Sequence, residues 1–324
     1  MSVRQKSLLG ASAAFLALTG LVAGSFGSLQ AVANSKPGHK QATLLAQGEQ
    51  KSLTIIFPSR SDSTDLQNKA NAVAAFLSKE LGMPVQAQVG DDTAAVEALR
   101  ANKADVAFLS SRPALKAEQL ANSRLYLAEV RPTYSGKYTY NSVFVVPKAS
   151  ALKTLNSGKA TLEQLRGKRM AFTSPTSGSG FIFPTSELVK QELVKNRDRL
   201  DSFFGQVSYG GNYSKALQAV LRGQADVAAV SEYALNPPYI TAAEKNQLRV
   251  LYKISGVPAH GVAIDDDVPA PTREKIINAM LKLNQPQNNQ LLKNLYNSTE
   301  LVKVDHNTHL GPVREALKNA GVDP

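Results

Sequence analysis

From residue 53 onward the chain alternates two kinds of apolar pattern. LTIIF (53–57) is apolar except for Thr54, the mark of a strand covered on both faces, and the polar turn PSRSDST follows it. DLQNKANAVAAFLSKEL then repeats its apolar residues at helical spacing and stops at Gly82-Met83-Pro84. VQAQV alternates as a strand, AAVEALRAN is helical and ADVAFL is a further strand. The same grammar resumes with KRMAF, the helix GFIFPTSELVKQELVKN, QVSY, the helix SKALQAVLRG and ADVAAV. Strand and helix in alternation predict an α/β protein whose sheets carry helices on both faces.

Two stretches echo each other. Residues 98–110 (ALRANKADVAFLS) and 219–231 (AVLRGQADVAAVS) share Ala, then Ala-Asp-Val-Ala, then a closing Ser. FPSRSDST after the first strand has a fainter partner in FTSPTSGS after the strand ending at Phe172. Two matches in the same order predict two lobes built from similar βαβ units. YNSVFVVPK (140–148) and AHGVAIDDD (259–267) are extended and apolar where one lobe hands over to the other, so the chain is expected to cross twice. Lobe 1 then takes 52–137 plus 257–324, with the helices TREKIINAMLKLN and PVREALKNAG packed back on it, and lobe 2 takes 138–256. Two crossing strands make a hinge, and a hinge places a cleft between the lobes.

The N-terminus has a different pattern. Arg4 and Lys6 precede an Ala/Leu-rich run (8–23), and Ala31-Val32-Ala33 offers small residues for cleavage after Ala33, so 1–33 reads as a secretory signal peptide. Residues 34–51 lack periodicity and read as a flexible leader. With no cysteine, neither a lipoprotein signal nor a disulfide is possible. The formal charge of +11 is spread without a long Lys/Arg run, which argues against nucleic acid and fits a basic exported protein.

In open α/β sheets ligands bind beyond the carboxyl ends of the strands. Here those places are 59–64, Ser110-Ser111-Arg112, 173–179, 210–214 and Ser231-Glu232, nearly all hydroxyls, glycines or free amides, without lysine. The first amides of a helix have no internal partner and carry the positive end of the helix dipole, so such loops suit a small oxyanion. In TSPTSGSG, Ser177 and Ser179 are expected to donate hydroxyls while the amides of Gly178 and Gly180 face the ion. A lone serine in a βα loop is more often a helix cap, the plainer reading of Ser59, Ser63 and Ser110 taken singly. Arg60 and Arg112 read as solvated. Capping needs one hydroxyl, however, and the 174–179 turn offers several.

Catalytic patterns fail on spacing. Ser177-Gly178-Ser179-Gly180 is not G-x-S-x-G, no Gly-Lys is followed by Ser or Thr, and Phe183 stands where a dinucleotide fingerprint needs its third glycine. His306 and His309 stand at i, i+3 but read as a solvated loop rather than a metal site. No enzyme chemistry, cofactor or metal is expected.

SPTSGSGFIFP after a strand, then GNYSKALQAVLRGQADVAAVSEYAL, with VEALRANKADVAFLSS earlier, resembles the periplasmic phosphonate- and phosphite-binding proteins of ABC transporters over about residues 52–265. The family's turn reads D-P-x-S-T-S-G; here Ser174 and Gly178 replace its Asp and Thr. Tyr213 stands where the family often has a histidine, Thr93 where it commonly has an aromatic, Tyr140 matches a tyrosine entering the second lobe, and Ser231 or Glu232 falls where an acidic ligand contact often lies. The resemblance implies a two-lobed periplasmic-binding-protein fold, each lobe a mixed sheet flanked by helices. It implies a periplasmic protein that captures phosphite, methylphosphonate or phosphate and delivers it to a membrane permease. From the loops themselves, Glu232 is expected to accept a proton of the ion, and Ser59 and Ser110 are expected within the site; the protein is expected to be a monomer. Two other readings stay open: an exported sensor docking on a receptor kinase, and a secreted phosphoester hydrolase.

Overall fold

The computed structural model describes residues 52–59 and 65–323. The expected signal peptide 1–33, the leader 34–51 and the loop residues 60–64, with Arg60 and Ser63, lie outside the described residues.

In chain order the strands are β1 (Leu53–Pro58), β2 (Val85–Gly90), β3 (Val106–Leu109), β4 (Arg124–Val130), β5 (Thr139–Pro147), β6 (Arg169–Phe172), β7 (Gln206–Tyr209), β8 (Val227–Ser231), β9 (Leu248–Pro258), β10 (Gly261–Ile264) and β11 (Glu300–Lys303). The helices are α1 (Leu66–Leu81), α2 (Asp92–Arg100), α3 (Ser111–Ala121), α4 (Gly158–Glu163), α5 (Phe183–Lys190), α6 (Leu200–Phe203), α7 (Tyr213–Leu221), α8 (Ala242–Lys245), α9 (Ala270–Leu281), α10 (Asn289–Tyr296) and α11 (His306–Ala320). Local chemistry explains their limits. Leu53, Ile55, Ile56 and Phe57 of β1 are all buried, as a strand covered on both faces requires. α1 buries Ala70, Val73, Ala74 and Leu77 on one face and ends at Gly82, which takes the left-handed conformation (φ +67°) that a helix C-terminus favours.

The strands form two mixed sheets, ordered β11-β4-β10-β3-β1-β2 and β7-β6-β8-β5-β9. In each, three neighbouring strands pair in parallel and every further neighbouring pair is antiparallel, so that β4 in the first sheet and β9 in the second again run with the parallel set. The sequence echo coincides with a structural one: 98–110 is the end of α2 leading into β3, and 219–231 is the end of α7 leading into β8, each strand third from its sheet's parallel edge. The chain passes between the sheets at 131–138 and again at Ala259-His260. The passages lie side by side, with the Ala259 amide donating to the Tyr138 carbonyl at 3.0 Å.

One expected packing is corrected. α9 packs on α1, but α11, which contains PVREALKNAG, lies mainly along α5 and β9 of the second sheet while also touching α3. Leu310, Val313 and Leu317 join an apolar cluster that draws on both lobes, with Leu115 and Leu125 from the first and Phe181 and Leu188 from the second, while Lys190 pairs with Glu315 at 2.8 Å and Arg314 pairs with Glu118 of α3. The C-terminal helix thus bridges both lobes.

Candidate functional site

The TSPTSGSG turn leaves β6 and enters a single π-helical turn, Gly178–Ile182, that runs into α5. Ser177 caps it: its Oγ accepts the Gly180 amide at 3.0 Å, which leaves its own O–H to donate elsewhere. The amides of Gly178 and Ser179 come first at the helix start, where no intrahelical acceptor exists. Gly180 is required sterically, because a Cβ there would lie 2.2 Å from Thr173 Oγ1 and 2.4 Å from Thr173 Cβ.

Two further helix starts converge on this turn. Gly211, at φ +88°, lets the loop after β7 bend so that Asn212 caps α7, its side chain accepting the Lys215 amide at 2.9 Å, and Tyr213 opens the helix. From the other lobe, Ser110, Ser111 and Arg112 open α3. The lobes approach closely here, since a Cβ built on Gly178 would stand 3.9 Å from Ser111 Oγ. Together these residues line a cavity of about 240 Å³, completed by Asp92, Arg131, Tyr140, Tyr233, Tyr239 and His260.

Tyrosines form the cavity's far wall. The rings of Tyr140 and Tyr233 lie 5.2 Å apart, Tyr213 meets Tyr233 and Tyr239 each at 5.8 Å, and Tyr134 stacks on Tyr140 at 5.2 Å. Burial, with the neighbouring phenols adding to it, pushes the Tyr140 and Tyr233 hydroxyls well above their ordinary pKa, so both stay protonated donors. Two guanidiniums supply positive charge. Arg131 is buried and pairs with the fully buried Glu129 at 3.2 Å, and Glu129 also accepts from Ser298 Oγ at 2.8 Å. Arg112 donates through Nη2 to the Asp323 carbonyl at 2.9 Å, while its buried Nε has no hydrogen-bond partner. Burial, and the nearby Arg197 charge, lower its pKa from the ordinary value, yet a guanidinium remains charged.

Ser177, Gly178, Ser110, Tyr140 and Tyr213 are thus brought together on one cavity. The hydroxyl of Ser110 donates to Asp92 Oδ2 at 2.8 Å, so toward the cavity it offers a lone pair and not a proton. Ser179 and Gly180 are buried behind the wall: the Ser179 hydroxyl meets the Tyr213 hydroxyl at 2.7 Å and so orients that phenol. Three other candidates fall outside. Ser231 is fully buried with an unpartnered hydroxyl; the Ser59 hydroxyl donates to the Gly90 carbonyl at 2.9 Å. Glu232 accepts from Asn141 Nδ2 and pairs with Lys253, both at 2.6 Å, and does not line the cavity. Burial alone would raise its pKa, but Lys253 and Asn141 hold it below the usual carboxylate range.

Other corrections concern residues passed over. Arg112 is not a freely solvated side chain, and His260 of the crossing segment lines the cavity. Asp92, Arg131, Tyr233 and Tyr239 went unread because they stand one or a few positions beyond strand ends or helix caps that read as ordinary structure. His306 and His309 are buried within α11. His306 Nδ1 accepts the Leu125 amide at 2.8 Å and His309 Nε2 meets the Ala259 carbonyl at 2.9 Å. Among the described residues no group of three metal-ligating side chains exists.

Two hinged mixed sheets with an anion-suited cavity between them define a binding protein of the periplasmic type. The family described as the phosphonate periplasmic substrate-binding proteins of ABC transporters matches residues 55–309, and the chain belongs to it. It is 26% identical over 257 residues to the phosphonates-binding periplasmic protein of Escherichia coli, across 77% of this chain and 72% of that one. It is 24% identical over 242 residues to the phosphate-import protein PhnD of Mycolicibacterium smegmatis, across 73% of each. Its fold is similar to that of PhnD1 from Prochlorococcus marinus, solved in complex with methylphosphonate, with a TM-score of 0.65, 20% identity, and coverage of 84% of this chain and 98% of that one. The protein is therefore the substrate-binding component of a phosphonate or phosphate ABC transporter, a periplasmic role.

Proposed function

We propose that the cavity captures a small phosphorus oxyanion, whether phosphite, methylphosphonate or phosphate, and that the loaded monomer docks on a membrane permease. The observation that carries this reading is the convergence of three helix starts, two from one lobe and one from the other, on a single cavity holding Arg112 and Arg131. Ser177 Oγ–H, the first amides of the π-helical turn, the Tyr140 and Tyr213 phenols and Arg112 donate to the ion. Ser110, its proton given to Asp92, accepts from a singly protonated oxygen. This moves to Ser110 and Asp92 the acceptor role expected of Glu232. Water-excluded, preorganised donors are stronger than solvated ones, so closure of the lobes tightens binding. Export by cleavage after Ala33 belongs to the same proposal.

Thermal denaturation with phosphate, phosphite, methylphosphonate and sulfate tests the reading. A ligand at a hundred times its Kd stabilises by about 2.7 kcal/mol, about 5–10 °C for a chain of this size. At least one phosphorus oxyanion is expected to give that shift and sulfate, which carries no proton for Ser110, far less. No shift with any of the three phosphorus ions overturns it.

A further inference from the structure

We propose that the residues after α11, Gly321, Val322 and Asp323, form a strap that positions Arg112 for the ion: they set the direction of its guanidinium without touching the ligand. The inference rests on the proposed oxyanion site and adds to it residues that do not line the cavity, the last of them 211 positions from Arg112 in the chain.

The strap is itself fixed. α11 ends where Gly321 takes the left-handed conformation, φ +67°, that glycine adopts without steric cost. The Gly321 amide returns to the Lys318 carbonyl at 3.2 Å and the Val322 amide to the Leu317 carbonyl at 3.0 Å, the paired closure that satisfies a helix's last carbonyls. Val322 is 7% exposed and belongs, with Leu317, to the apolar cluster shared by both lobes. A Cβ built on Gly321 would stand 3.3 Å from Asn196 Cβ, so the turn also lies against the second lobe. With Val322 anchored, the next carbonyl has a set place, and there Asp323 accepts from Arg112 Nη2 at 2.9 Å. Arg112 needs such a partner, because a long side chain must give up rotamer freedom before its guanidinium can face an ion. Burial, and then the Arg197 charge, disfavour the cation here, and the Asp323 charge offsets them in part. Among the described residues the Asp323 carbonyl is the one hydrogen-bond partner of the Arg112 side chain. With Nη2 so held, the buried and unpartnered Nε is left to donate to the ion.

Titration calorimetry with phosphate, phosphite and methylphosphonate tests the inference as a double-mutant cycle, on the full chain, on the chain ending at Gly321, and on each of these with Arg112→Ala. Loss of the acceptor frees one rotamer-rich side chain, so the shortened chain is expected to bind the tightest of the three ions about two- to twelvefold more weakly. Arg112→Ala is expected to lose about ten- to 150-fold, and shortening the chain in that background to cost nothing more. This difference separates positioning from support, because a tail that only stabilised the fold would weaken binding in both backgrounds alike. Val322→Ser, which makes the buried seat polar and keeps every residue, runs the same cycle where the shortened chain does not fold. Equal losses in the two backgrounds, or no loss in the first, overturn the inference and leave the oxyanion site standing. Arg112→Ala without a loss overturns it as well, together with the donation assigned to Arg112. If none of the three ions binds the full chain, the oxyanion site fails and the strap with it.

Discussion

Ser177 and Ser179 are two residues apart in one turn, yet the structure gives them opposite relations to the cavity, so alanine at each should separate two effects. At Ser177 the Oγ accepts the Gly180 amide at 3.0 Å and the side chain lines the cavity. Ser177→Ala removes a helix cap, about 0.5–2 kcal/mol of stability, or roughly 2–6 °C of Tm. It also removes a hydrogen bond to a charged ligand, about 1.5–3 kcal/mol, which is about ten- to 150-fold in Kd. Ser179 is fully buried, with its hydroxyl on Tyr213 at 2.7 Å. Ser179→Ala leaves that phenol short of a partner, which costs about 1–3 kcal/mol of stability. Only an indirect loss of affinity follows, below about fivefold, through a less well oriented Tyr213. Calorimetric titration with the best-binding oxyanion, beside chemical denaturation of each variant, measures both quantities. Equal affinity losses, or a larger loss at Ser179, would refute the assignment of Ser177 as the ion's donor and Ser179 as its support.

Three other changes are open to similar measurements, two at the site and one away from it. Glu232→Gln is expected to alter oxyanion affinity by less than threefold, because the carboxylate is held by Asn141 and Lys253 away from the cavity; a tenfold loss in titration would return it to the site. Gly180→Ala forces a methyl into Thr173, so it should lose about 1–3 kcal/mol in urea denaturation and weaken oxyanion binding at least tenfold by moving the first amides of the turn. Asp265 is buried beside Asp266 and Asp267, and burial first, then those charges, push its pKa from 3.8 up to about 6. The folded state therefore holds this proton more tightly than the unfolded chain, so Asp265 lowers stability as pH rises from about 4 to about 6, and the loss persists above that. Asp265→Asn should then stabilise the protein by about 1–2 kcal/mol at pH 7.5, allowing for solvent screening, and by nothing at pH 4; thermal denaturation at the two pH values checks the difference.

The parts of this structure that were legible in the sequence are those whose cause is local. β1 and β3 are apolar runs, α1 stops at a glycine, and the Ser/Gly turn announces an unusual helix start because its caps are neighbours in sequence. The echo of 98–110 in 219–231 was readable because both encode the same helix, turn and strand. Glu232 was misplaced for a geometric reason. Successive side chains at a strand end point to opposite sides, so Ser231 turns into the core of β8 while Glu232, one residue on, swings toward Lys253 of β9. Arg131, Tyr233 and Tyr239 carry no local signal. The first follows a strand and is drawn inward by a buried partner two residues back, and the tyrosines follow β8 and meet Tyr140 and Tyr213 only through tertiary packing. α11 shows the same limit: its apolar face is evident in the sequence, but whether that face seeks the first sheet or the second depends on α5, more than a hundred residues earlier.

That bridging helix bears on how the ion and the lobes act together. Ser110, Arg112 and Arg131 belong to one sheet's loops and Ser177, Gly178 and Tyr213 to the other's, so an ion touches both sets only when the loops stand as close as Gly178 and Ser111 do here. In the proposed site the ion therefore binds this close arrangement better than any parted one, and by the proposal that difference in affinity holds the lobes together. Separation must bend the two side-by-side passages at 131–138 and 259–260. α11 lies mainly along α5 and β9 but is also held to the first lobe, by Arg314 on Glu118, by His306 Nδ1 on the Leu125 amide and by the Asp323 carbonyl on Arg112, so separation must loosen one of these two sets of contacts.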